Sequence, residues 1–152
     1  MHTPMVVNSF TKSDKEMWAF LFVLGRAKQN LIHQLERSLA EKGHENIKIR
    51  QWLTLISIDE GMSVKELAAS RGISKQAASK ICEELAQRAY LCLKPAPTDA
   101  RVLQIKFTIK GRRAVRAGFN KLNELKELLS TQCDEHVYQQ IIQLLITINN
   151  WK

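Results

Sequence analysis

Ser63-Val-Lys-Glu66 opens a helix that Gly72 closes within a few turns. In such a capping box the serine oxygen accepts an orphan amide hydrogen of the first turn, and the glutamate accepts the serine's own N–H. The helix ends by about Ser70, because Gly72 reverses the chain through the left-handed conformation without a steric penalty. Ser74 then caps the next helix, which extends to about Arg88. Two short helices about a tight glycine turn form a helix-turn-helix, and the apolar residues agree with one. Leu67, Ala68, Ile73, Ala78, Ile81 and Leu85 fall on the facing sides, with the small Ala68 at the crossing and Ile73 at the elbow.

Burying that seam leaves Ser74, Lys75, Gln76, Ala77, Ser79 and Lys80 on the outer side and N-terminal end of the second helix. Those are the positions from which a helix reads the major groove of DNA. Gln76 suits an adenine edge, Ala77 a thymine methyl, Lys75 and Lys80 guanine or phosphate, and the serines either. Charge is concentrated in the same region. The chain of 152 residues carries a net +8, and residues 71–113 hold ten basic and three acidic groups, supplying +7 of it. A surface kept basic only for solubility would not segregate its charge, whereas a face that neutralises phosphates would.

Around this motif the rhythm is helical on both sides and alternating in one place. Leu21, Leu24, Leu31, Leu35 and Leu39 predict a long helix from about Asp14 to Lys42, and Trp52, Leu53, Leu55, Ile56 and Ile58 a second from Arg50 to about Glu60. After the motif, Leu91-Cys-Leu93 and Val102, Leu103, Ile105 and Phe107 predict two antiparallel strands. Pro95 and Pro97 keep the loop between them out of either strand. In that loop, Lys94-Pro-Ala-Pro-Thr-Asp99-Ala-Arg101, Asp99 is close enough to orient the Arg101 guanidinium for a narrow minor groove. Two further helices follow, Ile109 to Ser130 and one capped by Asp134. The last is apolar around most of its circumference, so one side must meet the chain's own core or a second subunit. Met5, Val6, Val7 and Phe10 before the first helix, and Trp151 at the end, add apolar surface for such a dimer.

The fold expected is mainly α with a small β-hairpin: a single winged helix-turn-helix domain over 1–152. Its DNA-binding lobe is 48–113 and its dimerisation helices are 12–47 and 114–152. The sequence argues against other classes. Its longest apolar run, Trp18 to Leu24, is too short to span a membrane, and its polar, lysine-containing start is no signal peptide. Cys82, Cys92 and Cys133 are odd in number and lack metal spacing, which suits a reducing cytoplasm. Cys82 is expected to be buried and inert, and Cys133 to lie in a helix connection. His33 and Glu36 with His44 specify no complete metal site, so no metal and no cofactor is expected. There is no phosphate-binding glycine loop, nucleophile elbow or zinc-protease motif, and the chain is read as no enzyme.

The stretch Met62-Ser-Val-Lys-Glu-Leu-Ala-Ala-Ser-Arg-Gly-Ile-Ser-Lys-Gln-Ala-Ala-Ser-Lys-Ile81, with Pro97-Thr-Asp-Ala-Arg101 and Phe107-Thr-Ile-Lys-Gly111, resembles the multiple-antibiotic-resistance regulator (MarR) family. The match covers about residues 50–115 and departs from the family at Arg88-Ala89-Tyr90, where many members carry Arg-Gly-Leu. The resemblance implies an obligate homodimer on a pseudo-palindromic operator in double-stranded DNA, acting as a transcription regulator and repressor. Recognition helices would lie in successive major grooves, with Ser74, Lys75, Gln76 and Ser79 at reading positions and Asp99 and Arg101 in the wing. It also implies a small aromatic ligand, for which Trp18, Phe22 and Trp52 either line a cavity or are plain core. The competing reading is a winged-helix module that binds proteins and has lost specific DNA binding.

Overall fold

The computed structural model describes residues 11–97 and 99–150. The apolar residues expected to support a dimer at Met5, Val6, Val7, Phe10 and Trp151 lie outside them. The element order is α1 (Lys12–Glu41), α2 (Ile49–Ile56), α3 (Val64–Arg71), α4 (Lys75–Gln87), β1 (Leu91–Pro95), β2 (Leu103–Phe107), α5 (Ile109–Ser130) and α6 (Glu135–Asn149). The chain is mainly helical with one antiparallel hairpin, as its periodicities predict. It divides into two compact units, Met1–Gln34 and Leu35–Lys152.

In the first unit the described residues are helical from Lys12 and present Met17, Trp18, Phe20, Leu21, Phe22 and Val23 to solvent. The second unit contains the core. Leu35, Leu39, Trp52, Leu55, Leu67, Leu85, Leu91 and Ile105 are among the residues that close it. Trp52 lodges against α5, where its Nε1–H donates to Ala114 O at 3.2 Å and its ring meets Phe119 edge-on at 5.4 Å.

The helix ends follow one piece of chemistry. At the end of α3, Gly72 has φ +60°, Gly72 N–H bonds Ala69 O and Ile73 N–H bonds Ala68 O. This is the paired-bond stop that a left-handed residue permits. Gly43 ends α1 in the same way, at φ +83°. The end of α4 repeats the bonds without a glycine: Ala89 N–H meets Ala86 O, Tyr90 N–H meets Leu85 O, and Ala89 itself sits at φ +60°. An alanine Cβ crowds the next carbonyl in that conformation. Thr108 Oγ1 and Lys110 Nζ hold the turn in place by donating to Ala89 O and Arg88 O. Ala89→Gly is therefore expected to raise the unfolding free energy by about 1 kcal/mol, read from the urea midpoint at unchanged slope.

Among the element borders, the structure corrects the sequence expectations at α2, at Pro95 and at Val102, which precedes β2. Helix α2 stops at Ile56 rather than near Glu60, because the following residues serve the sheet: Gly61 N–H donates to Ile105 O, Ile105 N–H to Met62 O, and Ser63 bridges Gln104. Strand β2 is thus held on both sides, by this short segment and by β1 in the register Leu91↔Phe107 to Pro95↔Leu103. Pro95, placed outside the strands by sequence, is the last residue of β1, a terminal position where its missing N–H costs no ladder bond.

Candidate nucleic-acid interface

The capping chemistry of α3 is as the sequence requires. Ser63 Oγ accepts from Glu66 N–H at 3.2 Å, and the Glu66 carboxylate accepts from Ser63 N–H at 2.7 Å. That N–H, and the Ser63 hydroxyl donating at 2.8 Å, hold the Glu66 carboxyl below the usual carboxylate range. Leu67, Ala68, Ala78, Ile81 and Leu85 are buried and Ile73 is half-buried, so helices α3 and α4 close on the seam set out above. Cys82 is also enclosed there, and burial pushes its thiol up to about 11, leaving no reactive thiolate.

Closing the seam fixes what remains outside. Ser74, Lys75, Gln76, Ala77 and Lys80 are exposed, and Ser79 is half-buried. Ser74 Oγ accepts the Ala77 N–H at 3.1 Å, which leaves its hydroxyl hydrogen free to donate outward. The first turn of α4 contains no acidic residue, so its amides and its positive dipole end face outward beside Lys75. Behind it, α4 is anchored by polar bonds the sequence reading did not single out. Gln51, buried, donates to Glu84 Oε2 at 3.1 Å, and Arg88 Nη1 donates to Asn46 O at 2.5 Å. A glutamine and an arginine outside any motif give no sequence signal for such a network.

The hairpin is fastened to the motif, β1 against α4 and β2 against α3. Its loop is closed by Ala96 N–H to Val102 O at 2.7 Å and Val102 N–H to Asp99 O at 3.0 Å. Lys94, Asp99 and Arg101 are all exposed. One detail differs from the sequence expectation: Asp99 Oδ1 accepts the main-chain N–H of Arg101 at 2.9 Å, not its guanidinium. The two-residue spacing closes an Asx turn, which shapes the loop and leaves the Arg101 side chain unpaired by Asp99.

The other residues singled out by sequence are placed as follows. Trp18 and Phe22 are 64% and 63% exposed in the first unit, while Trp52 is 1% exposed in the core of the second. Glu36 caps the start of α2, accepting from Ile49 N–H at 2.8 Å with Lys48 Nζ 3.6 Å away. His44 is buried against Tyr90, with Nδ1 3.3 Å from the phenol oxygen. Burial and the nearby Lys110 charge hold its pKa below that of an ordinary histidine. Cys92 and Cys133 are half-buried free thiols. Among the described residues no cluster of three or more metal-ligating side chains occurs, and no helix is long and apolar enough to cross a membrane.

Residues 47–102, which comprise α2, both helices of the motif, β1 and the whole hairpin loop, match the model of the MarR family. Over that segment the chain is similar to MarR-type winged helices. Its fold recurs beyond the matched segment in solved MarR-type structures. The FabT protein of Streptococcus pneumoniae, solved in complex with DNA, is 16% identical over 88% of this chain and 94% of its own, with a TM-score of 0.76. The transcriptional repressor CouR bound to a 23-mer DNA duplex is 18% identical over 93% of this chain and 100% of its own, with a TM-score of 0.71. CouR from Rhodococcus jostii bound to p-coumaroyl-CoA is 18% identical over 99% of this chain and 98% of its own, at a TM-score of 0.63. At these identities the likeness is one of fold. No curated protein sequence matches the chain.

Proposed function

We propose that this chain is a dimeric, sequence-specific DNA-binding transcription regulator of MarR type, a ligand-responsive repressor working in the cytoplasm and not an enzyme. The observation that carries the reading is the outer side of α4: Ser74, Lys75, Gln76, Ala77, Ser79 and Lys80 stand on a capped, rigidly seamed helix within the segment that matches the MarR family. A reading helix needs its side chains outside and its backbone immobile, and the buried seam supplies both. That FabT and CouR were solved on DNA, and CouR with p-coumaroyl-CoA, supports the same reading. A protein-binding module without a DNA partner would have no use for the cations retained at Lys75, Lys80, Lys94 and Arg101.

A dimer is supported by what the helices leave uncovered. No residue of α6 is buried, and Ile141, Leu144, Leu145 and Ile146 are exposed along it. An apolar helix that the chain's own core does not cover calls for a second subunit. Residues 12–47 and 114–152 are accordingly assigned to dimerisation, and 48–113 to DNA. Two subunits would read two half-sites about 10 base pairs apart.

In the wing, Lys94 and Arg101 meet the flanking minor groove while Asp99 shapes the loop. Arg101→Ala is expected to weaken operator binding about tenfold and relax preference for A·T pairs at the flanks, with the dimer unchanged in sedimentation. Unchanged affinity and unchanged flank preference, measured by gel shift on duplexes with varied flanks, would remove Arg101 from the interface.

A further inference from the structure

A cleft of about 690 Å³ lies between the α1–α2 turn, with the end of α1, and α5 from Ile109 to Glu124. Its wall includes Lys42, His44, Lys110, Arg113, Arg116 and Glu124. Lys110 and Arg113 fall at the end of the 48–113 lobe, but none of these residues is among the side chains placed at DNA above. The volume is that of a small-molecule site.

The charges in this cleft are arranged against their own helix. Lys110 and Arg113 stand in the first two turns of α5, whose first turn contains no acidic residue. The helix dipole places positive potential there and disfavours cations. Arg112, between them, is neutralised by Glu60, at 2.7 and 3.2 Å. Among the described residues no carboxylate lies within 4.0 Å of the charged nitrogens of Lys42, Lys110, Arg113 or Arg116. The carboxylate on the wall, Glu124, is already paired with Lys121 at 3.1 Å. Four cations without a carboxylate partner and a helix N-terminus therefore line one concave space. The neutral state favoured for the buried His44 fits the same positive potential. An anion with several charges would relieve every one of these repulsions, and the arginine forks match carboxylate or phosphate oxygens two at a time.

We infer that this cleft binds a small polyanion bearing two or more phosphate or carboxylate groups, held chiefly by Arg113 and Lys110. Lys110 also connects the cleft to the DNA-reading element. Its Nζ donates to Arg88 O, at the C-terminal cap of α4, at 3.1 Å, and stands 4.5 Å from the centre of the Tyr90 ring. An anion that draws Lys110 into the cleft withdraws it from the end of the recognition helix. Binding itself stands on the cleft alone, and only this last step rests on the regulator reading.

Calorimetric titration of the full chain with pyrophosphate, and separately with citrate, at fixed ionic strength tests the site. The tighter of the two probes identifies the source chemistry. Saturable binding at one site per chain is expected, weakened at least about tenfold by Arg113→Gln and changed less than about twofold by Lys94→Gln, an equal charge change elsewhere. Thermal unfolding of Arg113→Gln, expected at or above the unsubstituted chain, checks that it folds. Equal weakening by both substitutions, or no heat with either probe, would mean diffuse attraction to a basic protein and would overturn the site. On selected operator DNA, Arg113→Gln should bind normally but no longer be released by the probe. Loss of operator binding with probe binding intact would make the cleft a phosphate contact for DNA and overturn the proposal. Arg113-dependent probe binding by a chain that selects no DNA would uphold the site while removing the regulator reading.

Discussion

Gly118→Ala is expected to lower the unfolding free energy by about 2–3 kcal/mol, although the same exchange in an exposed helix would raise it by about 1 kcal/mol. Gly118 is buried in the interior of α5, and a Cβ there would run into the indole of Trp52. The indole cannot give way easily. It is fixed by its bond to Ala114 O, by Phe119 at its edge and by near-complete burial. The clash therefore outweighs the gain in helix propensity, and for a chain of this size the melting temperature should fall by roughly 5–10 °C. Denaturant and thermal unfolding of the purified variant measure both. A stabilised variant would mean that Trp52 does not lie against α5, and with it would go the packing that seats α2 behind the reading helix.

Lys75→Glu should separate stability from function. Lys75 is the first residue of α4, where a carboxylate favours the helix dipole, so melting should be unchanged or slightly raised. In the DNA complex the same residue would face phosphate or a guanine edge twice per dimer. Losing two favourable contacts and gaining two repulsions should cost about 3 kcal/mol or more, a drop in operator affinity of at least roughly a hundredfold. The salt dependence should flatten at the same time, since fewer counterions are released. Gel shift and fluorescence anisotropy on the selected operator give the affinity, and melting the slope-independent control. Affinity within threefold of the unsubstituted chain would place α4 outside the groove.

The elements legible in the sequence were those specified by local chemistry. Ser63, Glu66, Gly72 and Ser74 each satisfy a backbone requirement within a few residues of themselves, and the borders of α3, α4 and α5 follow from them and from Thr108. The features that escaped depend on partners distant in sequence. The segment around Gly61–Ser63 is too short to show alternation, and its strand character comes from Ile105 and Gln104 across the sheet. Ala89 adopts a glycine's conformation because Thr108 and Lys110, from beyond the hairpin, bond the carbonyls beside it. The departure of Arg88-Ala89-Tyr90 from the family's pattern thus leaves the helix stop in place, at the expense of local strain.

The candidate site divides in the same way. The outward positions of α4 could be read because burial of a periodic seam determines them, and the structure exposes Lys75, Gln76 and Lys80 accordingly. The Asp99–Arg101 geometry could not, since the spacing allows either a main-chain or a side-chain bond and the loop closure by Ala96 and Val102 selects the first. The cationic cleft was illegible for a further reason. Lys42, in the turn after α1, and Arg113, in α5, are far apart in sequence, and nothing in either segment alone marks them as neighbours.

Selection from randomised duplex DNA, followed by affinity of the winning sequence against salt, tests the central claim most directly. A palindromic winner with half-sites about one helical turn apart, and a steep fall of affinity with salt, is the result expected of two recognition helices reading successive major grooves. Enrichment of no sequence, with only weak binding at low salt, would contradict a DNA-reading dimer and leave the winged fold as a scaffold for protein contacts.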